Sequence, residues 1–152
     1  MEFGLARMAA SPVAGKLNGV PVEFSPLTLG DWGTIEHYMR QQIISAAAES
    51  TANIPVERAR MIMREAHREA AATSITSVDA KNGLFTSMST MLRIVHLSMR
   101  KSKPGLTLEQ VESMVGSDVE ALTKMIQVIF GISFPGMDDS KNLNPGQAAE
   151  AR

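Results

Sequence analysis

The residues best suited to chemistry at neutral pH are the three histidines, His37, His67 and His96. They fall in three different stretches of helical apolar periodicity, and none stands in His-Glu-x-x-His or a comparable ligand spacing. Each reads as part of a polar helix flank or boundary, so no metal ligand is assigned. The chain has no cysteine. Zinc–thiolate sites, iron–sulfur clusters, cysteine nucleophiles and disulfides therefore drop out together, a composition that fits a reducing compartment. Serines are plentiful, yet none lies in Gly-x-Ser-x-Gly and nothing nominates a base to activate one. The glycines form neither a phosphate-cradling Gly-x4-Gly-Lys-Ser/Thr loop nor a Gly-x-Gly-x-x-Gly dinucleotide turn. Asp138 and Asp139 sit in a stretch too poor in apolar residues to hold two carboxylates at a working separation. The expectation is a protein that is not an enzyme, with no catalytic residue and no cofactor.

Charge offers one more candidate. Arg60, Arg64 and Arg68 stack at four-residue steps, with Arg58 and His67 beside them, but Glu57, Glu65 and Glu69 are interleaved. Glutamates three or four positions from arginines pair along a helix, so this is expected to be a solvated, salt-bridged face. The formal net charge is -1 and the pI about 6.3, which leaves no global positive field for nucleic acid or an anionic membrane. No two neighbouring helices present a basic recognition face. No apolar run reaches the roughly 18 residues of a membrane-spanning helix. The stretch Met1 to Gly15, with Arg7 alone and broken by Ser11 and Pro12, lacks the apolar centre of a secretory signal. A soluble, cytoplasmic protein without nucleic-acid or membrane partners is expected.

The elements follow from turn chemistry and apolar spacing. At 152 residues there is room for one ordinary domain. Lys16 to Phe24 sets Asn18-Gly19 between short apolar stretches, predicting a two-residue hairpin with Pro21 on an edge, lying on helices. Thr28 and Asp31 open a helix near Leu29, whose core face is Trp32, Ile35, Met39, Ile43 and Ala46 and which ends near Ser50. Pro55, suited to a first turn, starts a second helix to about Ala72, with Val56, Ala59, Met63 and Ala66 on one face. A polar connector over 73–83 leads to a third helix, Leu84 to about Arg100, which carries Leu84, Met88, Met91, Leu92, Val95 and Met99 and is the candidate central helix. Lys101 to Gly105 stops it. Capping patterns at Thr107–Gln110 and Ser117–Glu120 predict two shorter helices, Leu108–Val115 and Asp118–Phe130, the last stopped by Gly131. The predicted fold class is mainly α: a small domain of about five helices over 16–134 with a short N-terminal β-hairpin. Residues 1–15 are expected to be a flexible N-terminus and 135–152 a disordered tail, because they offer too little apolar surface to offset ordering entropy.

Some apolar residues do not fit on single helix faces. Ile94 and Leu97 point away from the main stripe of the third helix, Met125 and Val128 widen the broad face of the last one, and Met61 sits among charges opposite the apolar stripe of the second. The chain has 11 methionines against 5 phenylalanines, 1 tyrosine and 1 tryptophan, and flexible thioethers suit surfaces that adapt to partners. Met61, Ile94, Leu97, Met125 and Val128 are therefore the candidate partner-binding residues. Packing against the hairpin or another helix is the competing account of the same pattern.

The order of these signals resembles a known family. Gly19-Val-Pro-Val-Glu-Phe-Ser-Pro-Leu-Thr-Leu-Gly-Asp-Trp32 opens the sequence, and Gly83-Leu84 leads a long apolar helix into Arg100-Lys101-Ser102-Lys103-Pro104. Leu106-Thr-Leu-Glu-Gln-Val111 and a last helix ending Ile129-Phe130-Gly131 complete the pattern. Over roughly Leu17 to Ile132 the chain is similar to the tail assembly chaperones of long-tailed bacteriophages and prophages. The resemblance implies a small helical protein that coats the aggregation-prone tape measure protein and brings tail tube subunits to it, without catalysis. It carries no motif residue onto the five candidates above. A structural virion component, such as a small tail or connector subunit, is the rival reading, and a helical nucleic-acid-binding regulator a second one. A homo-oligomer is left open.

Overall fold

A computed structural model describes residues 11–75 and 87–134 of the chain. The first described element is the hairpin of β1 (Val13–Leu17) and β2 (Val20–Phe24), paired antiparallel with Leu17 opposite Val20 and Val13 opposite Phe24. Asn18 (φ 49°) and Gly19 (φ 80°) are both left-handed, as a type I′ turn requires, and its twist matches that of the strands it joins. The residues flanking a two-residue turn form a hydrogen-bonded pair, and such pairs alternate with open ones along the ladder. Pro21 opposite Lys16 thus falls in an open pair, where its missing N–H would point outward. Leu17, Val22 and Phe24 are buried on the face that lies against the helices.

Five α-helices follow among the described residues: α1 (Leu29–Ser50), α2 (Val56–Ala72), α3 (Met88–Met99), α4 (Leu108–Val115) and α5 (Val119–Ser133). The protein is mainly helical with a short N-terminal hairpin. Capping sets the starts. Asp31 N–H donates to Thr28 Oγ1 at 3.2 Å while Thr28 N–H donates to Asp31 Oδ2 at 2.7 Å, a reciprocal box that occupies donors the first turn leaves unpaired. Thr107 and Gln110 build the same box on α4. Lys101, just past α3, reaches back to Asp31 Oδ2 at 2.7 Å and to the Pro26 carbonyl at 2.8 Å. Partial burial alone would raise the Asp31 pKa. The hydrogen bonds from Lys101 and Thr28 outweigh it and hold the carboxyl below its ordinary 3.8.

Four boundaries differ from the sequence expectation. Helix α3 starts at Met88 rather than Leu84, because Ser87 is extended and its Oγ accepts from Thr90 N–H as the N-cap. Residues 13–15 belong to β1 rather than to a flexible terminus, because they pair with Val22, Glu23 and Phe24. Asp118, accepting from Ala121 N–H at 2.9 Å, caps α5 in place of the Ser117–Glu120 pair. Gly131 does not stop α5, which continues to Ser133. Going on lets Ile132 and Phe134 pack on the core, a gain that exceeds the roughly 1 kcal/mol cost of glycine inside a helix. The expected tail (135–152), Leu84 and the connector beyond Ile75 lie outside the described residues.

Helix α3 is central, as its apolar spacing implies. It packs against β2, α1, α4 and α5, and Met91, Ile94, Val95, Leu97 and Met99 are all buried. Its buried hydroxyl, Ser98 Oγ, donates to the Ser25 carbonyl at 2.7 Å, and Ser25 N–H donates back to the Ser98 carbonyl at 3.4 Å, which stitches the end of β2 to the helix. From α5 come Leu122, Met125, Ile126 and Ile129, and from α4 Val111 and Val115. Trp32 closes one side of the core against Phe130 and Phe134, with ring centroids 4.9 and 5.2 Å away.

Asp31 has a folded pKa below its unfolded one, so its contribution is complete above about pH 4 and disappears as pH falls through the lower, folded value. Asp31→Asn is expected to cost about 1 kcal/mol at pH 7 and to flatten the loss of stability on acidification below pH 4. Urea unfolding followed by Trp32 fluorescence across pH 2.5–7 measures both.

Candidate protein-binding surface

Burial divides the five candidate residues. Ile94 is 0% exposed, Leu97 8% and Met125 7%, so these three are core residues and present nothing to a partner. The reason is the position of α3: with β2, α1, α4 and α5 around it, a side chain off its main stripe still meets a neighbour. Met125 points from α5 into the core shared with α3 and α4. A helix apolar nearly all round is a buried helix, and the composition of α3 already carried that information. Met61, 71% exposed on α2, and Val128, 39% exposed on α5, do reach solvent, but they lie on different elements.

The structure exposes other large apolar residues that the spacing did not single out. Leu29, Val56, Met88 and Val119 are each the first residue of a helix. Helical side chains lean toward the N-terminus, so a first-turn side chain overhangs the helix end with no turn beneath it. Their exposure follows from helix geometry and does not mark a shared patch. Val13 and Val20 are the remaining two, at opposite ends of the inner face of the hairpin.

The largest departure from a compact core is the pairing of α1 with α2. Arg40 anchors it: Nε and Nη2 donate to the Thr73 carbonyl at 3.1 and 3.0 Å, and Nη2 meets Glu36 Oε1 at 2.7 Å. Glu36 in turn accepts from Ile75 N–H at 3.3 Å. On the other side of α1, Tyr38 donates to Ser89 Oγ at 3.1 Å and lies under the Arg93 guanidinium, 3.9 Å from its ring centroid. Beyond this clasp, no residue from Glu36 to Glu65 is buried. The distal halves of α1 and α2 form an arm standing off the core.

Ile43, Ile44, Ile54, Ile62 and Met63 on this arm are each half-covered and lie outside the buried cluster of the core. Ile43 and Ala46 continue the core face of α1 past the point where the core ends, so that expected face is buried only at Trp32 and Ile35. The outer side of α2 is charged. Glu57 pairs with Arg60 at 3.8 Å and Glu65 with Arg68 at 3.3 Å, all largely exposed, so two arginines of the basic stripe are engaged as the spacing predicted. Met61 stands among them. An arm of this kind suits a contact that is apolar along the seam between its helices and charged at the rim. Among the described residues no group of three or more His, Cys, Asp and Glu side chains is placed to hold a metal ion, and no helix is long and apolar enough to cross a membrane.

No protein-family model matches this chain, and no curated protein or solved structure matches it either.

Two outcomes separate core from surface. Leu97→Asp buries an unpaired charge and is expected to cost roughly 3–5 kcal/mol, a large part of the stability of an ordinary domain, whereas Met61→Asp should stay within about 0.5 kcal/mol of the parent. Thermal unfolding of both variants checks this. With no buried side chain over 36–65, the amides of Gln41–Ser50 and Val56–Glu65 should exchange with solvent well before those of Met91–Met99 in native-state hydrogen exchange.

Proposed function

We propose that this protein is a tail assembly chaperone: it holds the tape measure protein soluble and brings tail tube subunits to it, by binding and without catalysis. One observation of the molecule supports this reading above the others, the α1–α2 arm, whose isoleucines and Met63 are half-buried with no third layer over them among the described residues. Two helices alone leave the outer edge of such side chains uncovered. The uncovered remainder is the surface a helical client would complete, laying an apolar stripe into the seam between them. The charged outer side of α2 keeps the free protein soluble, and its ion pairs are weak enough in water to rearrange when a client docks. Reversible binding needs this combination of moderate apolar area with a charged rim, since a larger dry surface would aggregate or fail to release. The resemblance of Leu17 to Ile132 to the chaperone family is the second support.

Ile62 is the residue to test on the arm, because it is half-buried beside the seam, whereas Met61 stands on the opposite, charged side of α2 and Leu97 is buried in the core. Co-expression with the neighbouring tape measure and tail tube proteins should recover soluble tape measure on the tagged chaperone. Ile62→Asp should reduce that recovery several-fold with helical content retained, and Met61→Asp and Val128→Asp should not. Recovery of the protein at fixed copy number in purified particles, with no soluble client complex, would instead make it a structural subunit of the tail.

A further inference from the structure

The hairpin has two outer edges, and they are not equivalent. On β2 the outward-facing positions are Pro21 and Glu23, and the next position in the same phase is Ser25, whose N–H turns outward to the Ser98 carbonyl. Proline supplies no N–H there and the chain then joins α3, so this edge is closed to a further strand. On β1 the outward positions are Ala14 and Lys16. Their N–H and C=O groups meet no partner among the described residues, both residues are exposed, and β1 has no neighbour but β2 in the sheet. This edge is open.

We propose that the open edge of β1 pairs with β1 of a second copy of this chain, antiparallel about a two-fold axis at Gly15, to make a continuous four-stranded sheet. The register follows from the backbone. A two-fold axis at Gly15 sets Ala14 opposite Lys16 of the second copy and Lys16 opposite its Ala14, which uses both outward residues of both strands in two narrow pairs, hence about four hydrogen bonds. An axis at Ala14 would bring Lys16 against Pro12, which has no N–H, and an axis at Lys16 would set the two lysines face to face. Only the axis at Gly15 satisfies every outward group and keeps like charges apart.

Side chains agree with this register. Val13, Gly15 and Leu17 share the inner face with Val22 and Phe24. The pairing sets the exposed Val13 beside the second copy's Leu17 and extends the apolar face across the seam. Gly15 leaves the centre clear, its Cα hydrogens lying under the Phe24 ring, where even a Cβ would approach Cε2 to 3.3 Å. The same two-fold test fails on the arm, where an antiparallel crossing of α2 at Met61 would set Glu57 against Glu65 and Arg58 against Arg64. Self-association therefore belongs to the hairpin. It is independent of the proposed function and leaves the arm available to another partner.

Light scattering and sedimentation of the full chain at rising concentration test this. The expected result is a species of twice the 16.4 kDa chain mass. Ala14→Pro, which removes an outward N–H and no bond to β2, should return it to the single-chain mass at unchanged helical content and melting temperature. Glu23→Pro on the closed edge should leave the dimer intact. Amide exchange on the unaltered protein gives a reading that does not depend on any variant folding: Ala14 and Lys16 should become protected as the dimer fraction rises, while Glu23 does not. A chain that stays monomeric to near-millimolar concentration overturns the proposal. So does a dimer in which the Ala14 and Lys16 amides still exchange freely, or a monomer in which they are already protected by the chain itself.

Discussion

The fold depends on the burial of α3. Twelve residues rich in methionine, isoleucine, leucine and valine, of which only Met88, Ser89 and Arg93 are exposed, form no stable helix in water unless other elements enclose them. The hairpin, the first turns of α1, α4 and α5 supply that enclosure, each with one apolar side turned toward α3. Short elements suffice because each has only one face to bury. That is why a five-residue hairpin arm and an eight-residue helix hold their places in a domain of this size.

Polar contacts then fix how those elements meet. The Thr28–Asp31 box starts α1, and Lys101 ties that start to the end of α3, so a single carboxylate joins a helix cap to a long-range ion pair. Ser25 and Ser98 bond in both directions where β2 passes α3. Hydrogen bonds of this kind each add little net stability, but a displaced element would leave buried donors and acceptors unpaired, so they select one arrangement. The indole N–H of Trp32 is the exception, buried with no hydrogen-bond partner among the described residues while its ring packs on Phe130 and Phe134.

The same economy explains the arm and the hairpin edge. Once α3 is enclosed, the distal parts of α1 and α2 have no core left to cover, and they persist as a helical pair held at its base by Glu36 and Arg40. The hairpin rests one face on the helices and keeps its outer edge in water. Both regions are ordered yet incompletely satisfied, one in apolar area and the other in backbone hydrogen bonds. The apolar seam suits a helix and the strand edge suits a strand, so the two need not compete for one partner.

Local chemistry determined much of this in the sequence alone. Asn18-Gly19 dictates a left-handed two-residue turn, Thr28 with Asp31 and Thr107 with Gln110 dictate helix starts, and three- and four-residue apolar steps place α1 to α5 close to their observed bounds, the start of α3 excepted, because each rests on neighbours within a few positions. Gly131 shows the limit: its local tendency to end a helix yields to the packing of Ile132 and Phe134, which no window of neighbours contains. The candidate surface was less legible. Met61 is exposed because α2 has one principal partner, whereas Ile94, Leu97 and Met125 are buried because α3 and α5 have several. Periodicity tells which residues share a face of one helix, but how many faces are covered is a property of the neighbours, and only the tertiary structure counts them.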